Sequence, residues 1–276
     1  MKKIRPEAGS ALVPALLALI LVALTFSTIY IFAVRQWWFP KSITPLGADI
    51  DRQFDYTLII TGIVFLLAQL ALGYVILRYP TWRGGRATYS HGNNTLEILW
   101  TAATAIMFLG LGIAAERAWA QFHFLGAAPG ALQVEVTGQQ FQWNIRYPGP
   151  DRVFGRTDPR LVNDAAGEFL GLDSNDPAAQ DDIVTPIMAV PVNRPVEVIL
   201  RSKDVTHSFF VPELRFKQDT VPGMVIRLHF TATQVGKYEV ACAELCGLGH
   251  HRMRTDLRVL SEDEFRDWLR EQKALM

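Results

Sequence analysis

The sequence predicts a membrane-anchored all-β protein, with transmembrane helices near the N-terminus followed by a β-sandwich or barrel outside the membrane. Three observations predict it. Three apolar runs free of charge fall in the first 115 residues of the 276-residue chain: Ala11–Val34, Thr57–Leu77 and Ile98–Ala115. Basic residues cluster before the first run (Lys2, Lys3, Arg5) and between the second and third (Arg78, Arg83, Arg86), with no acid from Arg78 to Asn94. Beyond residue 131 the apolar period becomes two, in short runs broken by Pro, Gly and Asp, as strands require.

The first run, at about 1.5 Å per helical residue, is long enough for a bilayer core of roughly 30 Å. A cleaved signal peptide is the competing reading, since a basic start suits it too. No small-x-small cleavage site follows the run, so an uncleaved helix is favoured. Positive charge stays on the cytoplasmic side, so both basic clusters fit three spans running in to out, out to in, and in to out. Everything after about Arg117 is then outside. The expected division is a span or signal anchor at 1–34, a helical hairpin at 57–118 and an extracytoplasmic domain at 119–276.

Glu97, in T-L-E-I-L-W-T, falls at the cytoplasmic mouth of the third span. It is either a solvated helix-end residue or a proton-uptake point, since ionisable groups at membrane depth often mark proton paths. Leu132, Val134 and Val136 alternate with polar residues as in a half-buried strand, and G-Q-Q-F-Q-W-N-I-R-Y continues it from Gly138 to Tyr147. Asn163–Asp182 reads as a loop with six acids and no Lys or Arg. Further strands are expected at Ile187–Val192, Val196–Leu200, Ser208–Val211, Val225–Phe230, Lys237–Ala241 and Thr255–Leu260. Ser261 to Glu264 forms a capping box that opens a helix with Phe265, Trp268 and Leu269 on one face. Zero net charge gives no electrostatic basis for nucleic-acid binding.

Chemistry concentrates in Cys242–Met253, C-A-E-L-C-G-L-G-H-H-R-M, which holds both cysteines of the chain. Thiolate, imidazole and thioether donors so close together favour copper over magnesium or calcium. A mononuclear blue-copper site needs one Cys, two His and a weak axial Met; a second Cys lets two thiolates bridge two ions. A disulfide between Cys242 and Cys246 is the plainer alternative, but it leaves His250 and Met253 without a role. The second histidine is expected to be His207, in D-V-T-H-S-F-F-V-P, although a lone His is more often structural.

Together, T-L-E-I-L-W-T, D-V-T-H-S-F-F-V-P, K-Q-D-T-V-P-G-M and the copper loop resemble subunit II of the haem–copper cytochrome c oxidases. The resemblance covers roughly Thr57 to Leu269. It implies a transmembrane hairpin carrying a cupredoxin-like β-barrel with a dinuclear copper centre, in the inner membrane with the copper domain on the periplasmic side. That centre takes electrons from cytochrome c and passes them to haem in subunit I; subunit III is a further expected partner. By the same resemblance Cys242 and Cys246 bridge, His207 and His250 ligate one copper each, and Met253 is a weak axial ligand. Glu244 lends its carbonyl to copper and its side chain to a magnesium ion shared with subunit I. Glu97 guards a proton path, and Asp204 belongs to the cytochrome c docking surface, to which the acidic loop is an optional addition. His251 has no implied role. The aromatic stretch departs from the family pattern, with Phe141 where the first Trp of the electron path is expected and Trp143 at the second. No C-x-x-C-H haem-attachment sequence occurs in the chain. The alternatives are the copper subunit of a nitric oxide reductase and a membrane-anchored copper carrier.

Overall fold

A computed structural model describes residues 11–35, 38–79 and 88–274. The basic residues Lys2, Lys3, Arg5, Arg83 and Arg86, on which the predicted topology leans, lie outside these. The chain forms two units, Met1–Phe39 with Arg52–Ala115, and Pro40–Asp51 with Glu116–Met276.

The first unit is helical. Helix α1 (Leu12–Val34) stops at Arg35, whose left-handed backbone (φ 53°) ends the hydrogen-bond ladder. Helices α2 (Pro45–Arg78) and α3 (Asn94–His123) extend well past the apolar runs that announced them. All three are long and apolar enough to cross a membrane. Their large apolar side chains point outward all round, as lipid-facing helices require. The few polar contacts tie helix to helix: Arg35 to Asp55 at 2.9 Å, and Gln53 Nε2 to the Leu111 carbonyl at 3.3 Å.

The second unit is a sandwich of two five-stranded sheets. One has the order β3 (Ile183–Thr185), β2 (Gln142–Tyr147), β1 (Leu132–Gln139), β5 (Pro195–Ser202), β8 (Ile226–Thr231). The other runs β4 (Met188–Pro191), β10 (Arg254–Leu260), β9 (Gly236–Cys242), β6 (His207–Val211), β7 (Phe216–Thr220). Pairing is antiparallel except for β1 with β5 and β4 with β10. Val134, Val136, Ile145, Val198, Leu200, Phe209, Leu257 and Val259 fill the space between the sheets. Helix α4 (Glu262–Ala274), opened by the predicted capping box, lays Phe265 and Trp268 against Tyr147.

Four departures from the sequence reading have physical reasons. The stretch 132–147 is a hairpin, not one strand; it turns at Gln140–Phe141 and pairs Gln139 with Gln142. Strand β1 is buried on both faces rather than half-buried, with Glu135 and Thr137 only 5% and 6% exposed. Glu135 tolerates this because Arg146 and Arg201 both donate to its carboxylate. The short edge strands β3 and β7 went unpredicted. The acidic loop contains 3-10 turns at Asp164–Ala166 and Pro177–Ala179, and another at Pro159–Leu161 just precedes it, each started by an Asp or Asn side chain accepting a backbone N–H.

The unit also includes a strap that precedes the membrane hairpin. Ile43, 2% exposed, belongs to the sandwich core; its N–H donates to the Glu213 carbonyl and its carbonyl accepts from Thr233 N–H. Arg215 grips Asp51 with two bonds, 2.7 and 2.9 Å, and donates to the Pro40 carbonyl at 2.6 Å.

Candidate metal centre

The sheet in which β6 pairs with β9 builds the centre. His207 is the first residue of β6 and Cys242 the last of β9, and Phe209 pairs with Cys242. The chain then loops back to β10. That loop closes on itself: Cys242 N–H donates to the Met253 carbonyl at 3.0 Å, and His250 N–H to the Gly247 carbonyl at 3.1 Å. Gly247 has φ 135°, a backbone region that side chains disfavour.

The sulfur and nitrogen donors meet at one end of the sandwich. Cys242 Sγ lies 4.0 Å from His207 Nδ1 and 3.2 Å from the Glu244 carbonyl. Cys246 Sγ lies 3.7 Å from His250 Nδ1 and 3.9 Å from Met253 Sδ. The two Sγ atoms are 3.9 Å apart, against about 2.05 Å for a disulfide, and both thiols are free. Metal–thiolate bonds are about 2.3 Å and metal–imidazole bonds about 2.0 Å. These separations therefore let one ion touch both sulfurs, or a sulfur and its histidine, without rearrangement. His207, Cys242 and Cys246 are all buried, their donor atoms within 4.8 Å of one another. The soft, buried donor set fits copper. Burial, and then the neighbouring Cys242, raise the Cys246 thiol above its ordinary range, so the metal must displace its proton on binding.

Surrounding groups aim the ligands. Asp204 Oδ1 is 2.8 Å from His207 Nε2, so that nitrogen carries the proton and Nδ1 is left to face Cys242. Asp204 Oδ2 accepts from Gln140 N–H at 2.8 Å. Burial alone would raise the Asp204 carboxyl; the bonds from Gln140, His207 and Val205 outweigh it and hold the group below the usual carboxylate range. Gln140 Nε2 donates to the Cys246 carbonyl at 2.5 Å. A side chain at Gly138 would run into the His207 ring at 2.7 Å, so β1 can pass the histidine only with glycine there. Neither Gln140 nor Gly138 was singled out from sequence. Their signal was the G-Q-Q opening of the aromatic stretch, which reads as strand until the hairpin folds it over the copper loop.

The other expected positions fall as follows. Phe141 lies on the copper loop, its ring where a Cβ on Gly249 would come within 2.4 Å, and it is 37% exposed. Trp143 is buried, its ring centroid 6.1 Å from that of His207. Glu244 and His251 are exposed. Glu97 sits in the first turn of α3, its carboxylate folded over Gly92. Most of the loop acids are engaged within the domain: Asp164 with Lys203, Asp173 and Asp176 with Arg156, and Asp182 with Arg146.

Two family profiles match the chain: "Cytochrome C oxidase subunit II, periplasmic domain" over residues 132–259, and "Cytochrome C oxidase subunit II, transmembrane domain" over residues 32–115. The "Alternative cytochrome c oxidase subunit 2" of Bradyrhizobium diazoefficiens is 37% identical over 93% of this chain and 92% of its own length. The "Cytochrome c oxidase subunit 2" of Thermostichus vulcanus is 32% identical over 86% of this chain and 79% of its own. The crystal structure of the periplasmic domain of subunit II (CoxB) of Bradyrhizobium japonicum is 29% identical, covering 53% of this chain and 96% of that one, with a TM-score of 0.39. With a relative of this identity spanning nearly its whole length, the chain belongs to the cytochrome c oxidase subunit II family, the electron-input subunits of respiratory terminal oxidases.

Proposed function

We propose that the centre is dinuclear, two copper ions bridged by Cys242 and Cys246, taking single electrons from cytochrome c and passing them to haem in subunit I. The carrying observation is that the donors divide into two equivalent sets. Cys242 has His207 and the Glu244 carbonyl beside it; Cys246 has His250 and Met253. One ion would leave half of them idle. Copper supplies the redox change, and the chain's own residues hold its ligands rigid: buried sulfurs, a carboxylate-oriented His207 and a closed loop. Rigid ligands change little between oxidation states, which keeps electron transfer fast. A copper carrier would want exchangeable, accessible ligands, whereas His207, Cys242, Cys246 and Met253 are buried. The relatives are oxidase subunits rather than nitric oxide reductase subunits.

Electron paramagnetic resonance of the purified complex tests this. Two equivalent copper nuclei sharing one unpaired electron give a seven-line hyperfine pattern; a four-line pattern means one copper and ends the dinuclear reading.

Other roles belong to the same reading. Exposed Glu244 offers its carboxylate, a hard ligand, to a magnesium ion shared with subunit I. If so, manganese substituted into the complex gives a bound signal that Glu244→Gln abolishes. Glu97 takes protons in from the cytoplasmic side of the inner membrane. Glu97→Gln should slow oxygen reduction about a hundredfold, the low end of what proton transfer by a placed side chain contributes, while copper reduction in stopped flow keeps its rate. Equal turnover in both proteins would dismiss that role.

Phe141 is the contact through which the donor's electron arrives, since its partly exposed ring lies on the glycines of the copper loop. Phe141→Trp should change the rate of copper reduction by cytochrome c several-fold with the copper spectrum intact; equal rates would move the contact elsewhere. Asp204 has little carboxylate left for docking, since its oxygens take bonds from His207, Gln140 and Val205. It acts mainly by orienting His207. Subunit III completes the expected complex.

A further inference from the structure

We propose that Gln140 is a positioning residue of the copper centre, joining the turn that carries Phe141 to both ligand-bearing segments. The inference rests on the copper reading above. Three consecutive residues of the hairpin differ in what they reach. Gln139 accepts from Asn144 and donates to Asp164, and Phe141 supplies only its ring. Gln140 alone of the three bonds to both segments. Its carboxamide donates to the carbonyl of Cys246, and its backbone N–H donates to Asp204 Oδ2. Asp204 then meets His207 Nε2 with its other oxygen. One residue thus links a thiolate ligand and an imidazole ligand that come from separate parts of the chain. It does so from the turn whose next residue lies on Gly247 and Gly249.

The chemistry fits a tuning role as well as a mechanical one. An N–H dipole aimed at the carbonyl of a ligating cysteine withdraws electron density from the ligand side and favours the reduced metal. The fit is close: a Cβ at Gly247 would lie 2.9 Å from Gln140 Nε2, so the amide and the loop backbone are in direct contact. Asparagine, one methylene shorter, could not span the same gap from the same backbone position.

The test compares wild type, Gln140→Leu and Gln140→Asn as full chains in the assembled oxidase. Leucine keeps the volume and removes the donor; asparagine keeps the donor and withdraws it. Outer partners of metal ligands are worth roughly 10–100-fold in metal affinity. Both variants should therefore lose copper to a chelator at least about tenfold more readily, with a lowered reduction potential. Thermal unfolding of the copper-free protein should be unchanged. Copper retention and potential equal to wild type would overturn the proposal. So would a fall in copper-free stability that alone accounts for the copper loss, since Gln140 would then be packing only. A wild type that holds no copper would instead defeat the copper reading itself.

Discussion

Cys246→Ser should abolish the seven-line signal of the proposed dinuclear centre and leave at most one copper per chain. Cys246 Sγ stands at the centre of the donor set, within 4 Å of Cys242 Sγ, His250 Nδ1 and Met253 Sδ, and it is 5% exposed. A serine hydroxyl there is hard and stays protonated near neutral pH, so it neither attracts copper nor bridges two ions. The remaining Cys242 with His207 makes a mononuclear site. Copper reduction by cytochrome c should fall by more than the roughly 10–100-fold typical of losing an outer-shell partner. Copper-to-protein ratio and hyperfine pattern are the measurements; a seven-line spectrum from the variant would contradict the bridging assignment outright.

Arg146→Met should give the largest loss of stability in the extramembrane domain without touching the centre. The Arg146 side chain is 2% exposed and faces two carboxylates, Asp182 at 0% and Glu135 at 7%. It also donates to the Gly155 carbonyl at 2.5 Å, and its guanidinium lies 5.1 Å from the Phe154 ring. Burial already raises the Asp182 carboxyl above its ordinary value even with Arg146 beside it. Removing this buried cation strands Asp182 with only the Gly155 N–H and leaves Glu135 to Arg201 alone, and breaking such a buried pair costs about 3–5 kcal/mol. For a domain of this size that is roughly 10 °C of melting temperature. Near-ultraviolet circular dichroism on heating reads it. The copper spectrum at low temperature should be that of wild type, and an unchanged melting midpoint would mean that the Arg146 cluster is dispensable.

The donors that the fold brings together were legible because their chemistry is local. Soft donors in twelve residues admit few explanations, and His207 was reachable through its motif. The spans were legible because hydrocarbon demands unbroken apolar sequence. What stayed hidden depends on contacts across the fold. Gln140 and Gly138 matter through groups far along the chain, Cys246 and His207. The acidic loop looked unpaired because its cations, Arg146, Arg156 and Lys203, lie outside it in sequence. Strand β7, F-K-Q-D-T, shows little apolar alternation because, as an edge strand, it is held by backbone bonds to β6.

The strap at Pro40–Asp51 gives the copper domain a schedule. Its Ile43 is synthesised before the two helices of the hairpin, and its partners Glu213, Arg215 and Thr233 long after them. The sandwich therefore cannot close around Ile43 until both hairpin helices have been synthesised. A version begun at residue 119 lacks that core residue and the Asp51 contacts of Arg215, so the sandwich takes part of its core from chain laid down before the hairpin.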